Sequence, residues 1–241
     1  MEREVFDRMA ALESEHWWFV ARREILTGVL ERAALPRDAK ILEAGCGTGG
    51  NLPMLQQFGQ VDAFEPDAEA RRYVRTTREV PVEDGALPDR VPFPERSFDL
   101  VAALDVIEHV DQPEESLQQL ARRVRPGGHL LVTVPAFAFL WSRHDEHHHH
   151  KRRYTKGQLL AQLKSAGVQV RLCTYFNTLL FPAIASVRLA KTVTGRDTSD
   201  DAMPSERTNG LLRRIFAAER SLVGRVPLPF GVSLVALAQV P

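Results

Sequence analysis

Cysteine is nearly missing from this chain. Cys46 and Cys173 are the two present in 241 residues, which excludes a disulfide framework or a cysteine zinc site as the organising feature and fits a reducing compartment. Surplus charge of one sign is missing as well. Thirty-one basic residues balance 31 acidic ones, so the chain lacks the positive field of a protein that wraps nucleic acid. No apolar run reaches membrane-crossing length, and the stretch from Met1 to Arg8 is charged, without the apolar core of a secretion signal. A cytoplasmic protein with no nucleic-acid partner is expected. The length suits one α/β domain with a sizeable core and some insertions, but not two such domains.

What is present is organised around Ile41-Leu42-Glu43-Ala44-Gly45-Cys46-Gly47-Thr48-Gly49-Gly50-Asn51. An apolar start, a glycine-punctuated turn and then Leu52, Met54 and Leu55 predict a buried strand, a tight loop and the opening of a helix. Glycine permits positive φ and lets a ligand lie against backbone N–H groups. A second apolar run, Val61 to Phe64, ends in Glu65. That acid falls about twenty residues past the first glycine, where dinucleotide-type folds place the carboxylate that grips ribose hydroxyls.

These residues resemble the class I S-adenosylmethionine (SAM)-dependent methyltransferases. The loop reads E-A-G-C-G-T-G, an acid precedes it, and Asp84-Gly85 follows. The resemblance implies a Rossmann-like α/β fold: a seven-stranded, mostly parallel sheet with helices on both faces and an antiparallel last strand beside the sixth. It also implies SAM as cofactor and S-adenosylhomocysteine as product. Carried over residue by residue, the first acid is Glu43, and the loop contacts come from Gly45, Cys46, Gly47, Gly49 and Asn51. Glu65 with Pro66 would hold ribose, Asp84, Gly85 and Ala86 would meet adenine, and Leu104 and Asp105 close the edge of the fourth strand. The block from Asp111 through Arg125-Pro126-Gly127-Gly128 to a strand at His129–Val134 also resembles the family.

Residues 2–34 carry helical spacing, with Val5, Phe6, Met9 and Leu12 before His16-Trp17-Trp18-Phe19 and Ile25, Leu26, Val29 and Leu30 after it. Two helices flanking an aromatic joint are expected, forming an N-terminal helical lid over 1–34 before the SAM-binding domain at 35–241. Trp18 can attract a sulfonium and Arg22 can pair with the methionine carboxylate. The other reading has the aromatics packed on the core and the arginines solvated. A helical insertion is expected over 177–226. Its basic amphipathic stretch, Leu211 to Arg225, either packs on its own domain or makes a peripheral membrane contact. Residues 195–208 are polar and are expected to be mobile.

Methyl transfer from a sulfonium mainly requires alignment, and a base helps where the acceptor is a hydroxyl. His109, His144, His150 and Tyr154 are the candidates. His144, Asp145, His150, Arg152, Arg153 and Tyr154 resemble the pattern H-D-x-x-x-x-H-x-R-R-Y of bacterial methyltransferases. Four consecutive histidines, His147 to His150, cannot all face one way. Asp105-x-x-Glu108-His109 resembles a divalent-ion element of ubiquinone O-methyltransferases and of RNA 2′-O-methyltransferases. One helical turn would let the three converge. Asp in place of the first Glu shortens the reach, and Glu-His-Val is widespread in metal-independent relatives, so no metal ligand is assigned. The expected function is methylation, at oxygen, of a small or lipid-linked acceptor. A SAM-binding protein without catalysis and an RNA or protein methyltransferase are the alternatives.

Overall fold

The computed structural model describes residues 10–194 and 203–241, with side chains omitted for 191–194. The expectations for Val5, Phe6 and Met9, and for 195–202, lie outside the described residues. Apolar runs with both faces covered build one sheet. The strands are β1 (Ala39–Ala44), β2 (Gly59–Glu65), β3 (Val82–Asp84), β4 (Phe98–Leu104), β5 (Val124–Pro135), β6 (Gln169–Phe176) and β7 (Ser233–Gln239). They lie in the order β3-β2-β1-β4-β5-β7-β6. β7 is antiparallel to β5 on one side and to β6 on the other, so the last strand is wedged between its two predecessors. The other pairs, β2–β3, β1–β2, β1–β4 and β4–β5, are parallel. Parallel strands buried on both sides read as near-continuous apolar sequence, and β1 and β4 do.

Strand side chains alternate between two packed layers. Ile41, Ala63, Leu100, Ala102, Leu131 and Val235 share one layer with Ile25, Leu26, Val29 and Leu30 of α1 (Trp17–Leu30). Leu42, Phe64, Val101, Ala103, Leu130 and Val132 share the other with Leu117 and Leu120 of α4 (Pro113–Arg123) and Leu159 and Leu163 of α6 (Lys156–Ser165). The helices α2 (Leu52–Leu55), α3 (Ala68–Thr77) and α5 (Arg143–His147) follow β1, β2 and β5. Thr155 and Gln158 form the expected capping box of α6.

One expectation is corrected. The aromatic segment is not a joint between helices, because the break falls earlier, in a turn at 13–15. The His16 side chain accepts from Trp18 N, and Trp17, Trp18 and Phe19 form the first turn of α1. The polar stretch ends in a helix, with Ser205 capping α8 (Glu206–Ala217) by accepting from Thr208 N. Of the two readings of the basic amphipathic stretch, packing on its own domain is the one observed. Phe216 of α8 is buried against Trp17 and Phe176. Arg213 pairs with Glu24 at 2.7 Å, and Arg220 with Glu31 at 2.6 Å. Together with α7 (Phe181–Thr194), α8 occupies the long connection between β6 and β7.

Candidate active site at the carboxyl edge of the sheet

Parallel strands of this arrangement present ligands at their carboxyl ends, and the sequence-predicted residues converge there. Gly45, Gly47 and Gly49 have φ of +63°, +52° and +77°, backbone that L side chains rarely adopt. Gly45 N and Cys46 N donate to Phe64 O at 2.9 and 3.3 Å, which fastens the loop to β2. Glu65 then holds the loop from the side. Its two oxygens accept Gly47 N at 3.0 Å and Asp67 N at 3.1 Å. Burial raises its pKa and those two N–H groups pull against the rise. Across the β2–β3 ladder Glu65 is registered with Asp84, which is half exposed and paired with Arg71 at 3.3 Å and Arg90 at 3.4 Å. Gly85 has no room for a side chain, since a Cβ there would sit 2.5 Å from Pro92 Cδ. Ala86 bridges to Arg90.

A polar relay crosses the edge beneath the loop. Glu43, at the end of β1, is 1% exposed. One carboxylate oxygen accepts from Asn51 Nδ2 at 2.9 Å, and the other has no partner. Burial pushes its pKa up to about 8, against the pull of the Asn51 hydrogen bond. Asn51 Oδ1 accepts from Arg22 at 3.1 Å. The same guanidinium donates to Thr133 Oγ1 at 2.8 Å and pairs with Asp105 at 2.7 Å. The Trp18 ring lies 5.3 Å from it. Arg22 is thus neither solvated nor on a detached lid. On the far side of the loop, Glu13 accepts from Thr48 Oγ1 at 2.5 Å and pairs with Arg78 at 2.6 Å. Glu13, Thr48 and Thr133 were not singled out from the sequence, because their partners lie 28 or more residues away and no local motif marks them.

The segment after β5 supplies the opposite wall. Asp145 is fully buried. It accepts from Arg153 Nε and meets His150 Nδ1, both at 2.8 Å, and accepts Ser142 N at 2.9 Å. Burial raises its pKa, but His150, Arg153 and the Ser142 N–H outweigh it and hold the carboxyl below the usual carboxylate range. With Nδ1 engaged, His150 has Nε2 left for the cavity. Glu108 is also fully buried, and neither of its carboxylate oxygens has a partner. Burial and then Asp105 raise its pKa well above the usual range. The His109 ring stands perpendicular to that of His150 at 4.7 Å. Burial and then His150 lower its pKa to about 4, so it is neutral near pH 7. One ligand-type atom from each of Glu108, His109 and His150 lies within 4.8 Å of the others. Asp105, expected to converge with Glu108 and His109, is turned to Arg22 instead.

A cavity of about 440 Å³ joins these parts. Trp18, Arg22, Gly45, Cys46, Gly47, Asn51, Leu104, Asp105, His109, His144 and His150 all line it. Its apolar end is made by Phe19, Leu180, Ala183, Ile184, Val187 and Leu212. The histidine run divides: His147 and His149 are exposed, while His148 faces the cavity beside His144, ring centroids 4.2 Å apart. Glu43 lies behind Asn51, and Gly49, Glu65, Pro66 and Asp84 to Ala86 belong to the adjoining β1–β3 edge rather than to the cavity wall. Tyr154 is not brought to the site. Its ring is 2% exposed within the layer containing Leu159 and Tyr175, and burial raises its pKa to about 12.

Comparisons with known proteins agree with this geometry. Residues 17–172 match the family described as the methyltransferase domain. A Mycolicibacterium smegmatis protein described as a probable SAM-dependent methyltransferase is 29% identical over 163 residues, which cover 66% of this chain and 62% of that protein. The ubiquinone biosynthesis O-methyltransferase of Xanthomonas axonopodis pv. citri is 28% identical over 198 residues, covering 68% of this chain and 80% of that enzyme. A solved SAM-dependent methyltransferase of Thermotoga maritima shares the fold, with a TM-score of 0.60, 20% identity and 100% of each chain covered. The chain spans 61–62% of the length of the mycobacterial relatives it matches. Fold, glycine loop and edge carboxylates together define the class I SAM-dependent methyltransferase type. The chain belongs to the methyltransferase-domain family.

Glu43 gives a test that needs no substrate. Its folded pKa of about 8 lies above the ordinary value for Glu, about 4.3. A raised pKa means that the folded state binds the proton more tightly. The contribution is therefore full below about pH 4 and is lost as pH rises toward 8, by at most about 1.4 kcal/mol per pH unit. Glu43→Gln should gain stability over the unsubstituted chain between pH 5 and 8, read by urea unfolding without ligand. An unchanged difference between the two proteins across that range would show that Glu43 is not held protonated.

Proposed function

We propose that the protein transfers the SAM methyl group to an oxygen of a small or lipid-linked acceptor, with His150 as the base. The observation that carries this reading is the Asp145–His150 pair, at 2.8 Å, facing the cavity that the glycine loop also lines. The residues fit the cofactor. The unpartnered buried oxygen of Glu43 suits an ammonium group, Arg22 suits a carboxylate, Glu65 suits the ribose hydroxyls, and Asp84 to Ala86 suit the adenine edge. When bound, SAM supplies a methyl carbon activated by its sulfonium.

The chain's own part is alignment, exclusion of water and removal of one proton. Asp145 fixes the His150 ring through Nδ1, so Nε2 is the atom that takes the acceptor's hydroxyl proton. Trp18 and Phe19 close the cavity on the α1 side and Leu180 and Ile184 on the α7 side. Their apolar surfaces are compatible with a partly apolar acceptor. A second reading has its own observation: Glu108, buried with both oxygens unpartnered, lies with His109 and His150 as three groups that could hold a divalent ion. In that case His150 Nε2 ligates, and Asp145 orients a ligand rather than a base.

Binding and turnover measurements test the cofactor site and separate the two readings. Glu65→Ala should weaken SAM binding about ten- to a hundredfold, the loss of charged hydrogen bonds worth about 1.5–3 kcal/mol. Unaltered affinity by calorimetry in the folded variant would remove Glu65 from the site. With an acceptor identified by mass spectrometry of co-purified material, His150→Ala should lower turnover by about 10²–10⁴ while sparing SAM affinity. Asp145→Asn should displace the pH profile of turnover. Loss of activity to chelator, restored by a divalent ion, would select the metal reading. Full, chelator-resistant turnover in folded His144→Ala and His150→Ala variants would leave neither.

A further inference from the structure

The amphipathic helix that the sequence offered for membrane contact is spent on intramolecular packing, but a different surface is open. Phe139 is 57% exposed, Val187 53%, Leu179 50%, Phe230 40% and Trp141 36%. They come from three segments: the turn after β5, the start of the β6–β7 connection with α7, and the approach to β7. Aromatic contacts join these segments, since the Phe181 ring lies 6.4 Å from Phe139 and 5.2 Å from Phe230. Arg188 of α7 donates to Leu140 O at 2.8 Å, and Thr178 Oγ1 donates to Phe230 O at 2.6 Å. The patch is therefore built on a fixed frame.

Two further observations say what covers it. Val187 both lines the cavity and is exposed, so the apolar end of the cavity opens into the patch. In addition, residues 136–144, 177–190 and 227–232 contain no Asp or Glu, and the ionisable side chains they do contain are Arg143, His144 and Arg188. That is unlike the chain as a whole, which is evenly charged with 31 acidic and 31 basic residues. Exposed aromatic and aliphatic side chains with arginine among them match an anionic lipid surface, where rings enter the headgroup level and cations meet phosphates. The exposed acid nearest in sequence is Glu146, two residues past the first segment, and the buried Glu219 carboxylate accepts Leu179 N at 2.7 Å.

We propose that this face docks on the surface of an anionic lipid bilayer, with Phe139, Trp141 and Phe230 inserted and Val187 at the opening through which an amphiphilic acceptor enters. The route of entry rests on the acceptor reading above; docking itself needs no turnover. The test is co-sedimentation of the full chain with vesicles of phosphatidylcholine mixed with phosphatidylglycerol and with vesicles of phosphatidylcholine alone. Binding should be stronger to the anionic vesicles. The double variant Phe139→Ala with Phe230→Ala should bind them about tenfold or more weakly, and Arg143→Gln about fivefold more weakly. Both variants should keep wild-type SAM affinity by calorimetry, which shows that they are folded. Failure of the wild-type chain to sediment, or equal sedimentation of the double variant, would overturn the proposal. So would a dimer in light scattering that the double variant dissociates, with no vesicle binding, since the patch would then join two copies. Loss of methyl transfer with vesicle binding retained would count against the function and leave the docking surface standing.

Discussion

Arg22 ties together the parts of this structure on which everything else depends. One guanidinium from α1 reaches Asn51 beside the glycine loop, Asp105 past β4 and Thr133 in β5. Three separate pieces of the sheet edge are thereby fixed to one helix. Because Asn51 also donates to Glu43, the orientation of the carboxylate behind the loop follows from the position of α1. A buried guanidinium is costly unless it is paired, and pairing with Asp105 offsets much of that cost. The aromatic start of α1 then becomes a wall of the cavity instead of a loose flap, and α8 adds a second layer through Phe216 against Trp17.

Behind this tie the edge holds more buried carboxyl oxygens than its own groups satisfy. Glu43 has one unpartnered oxygen and Glu108 has two, all buried. Leaving a buried polar atom unpaired costs about 1–3 kcal/mol, and natural chains retain such atoms where a ligand completes them. The two groups face different demands. Glu43 stands next to the glycine loop, where a cation of the cofactor fits. Glu108 stands among histidines, where either a neutral acid or an ion-bound carboxylate is stable. Asp145 shows the contrast: equally buried, it is held ionised because Arg153, His150 and Ser142 all donate to it.

Most of the sheet and the loop were legible because their signals are local. A glycine at positive φ, a short apolar run and a capping box each leave a mark within a few residues. The acid at Glu65 could be placed because its distance from the loop follows from one βαβ unit. Contacts between distant segments left no such mark. Thr133 meets Arg22 across 111 residues of sequence, and Asn209 accepts from Trp17 N across 192. Tyr154 sits next to Arg153 in sequence, yet successive residues point to opposite sides. Arg153 reaches Asp145 while the tyrosine ring enters the core. His147 to His150 divide in the same way, two outward and two toward the cavity. Those orientations are set by tertiary packing.

The central claim is that this edge binds SAM by meeting the cofactor's ammonium with Glu43. Near neutral pH the free ligand's α-amino group, with an ordinary pKa of about 7.7–8.0, is still charged. Glu43, with a pKa raised to about 8, is mostly protonated there and must ionise to form the pair. Calorimetric titration with SAM at pH 6.5, repeated in buffers of different ionisation enthalpy, measures the proton exchanged on binding. Release of close to one proton per SAM bound is the predicted result. Absence of binding, or binding with no proton exchanged, would contradict it.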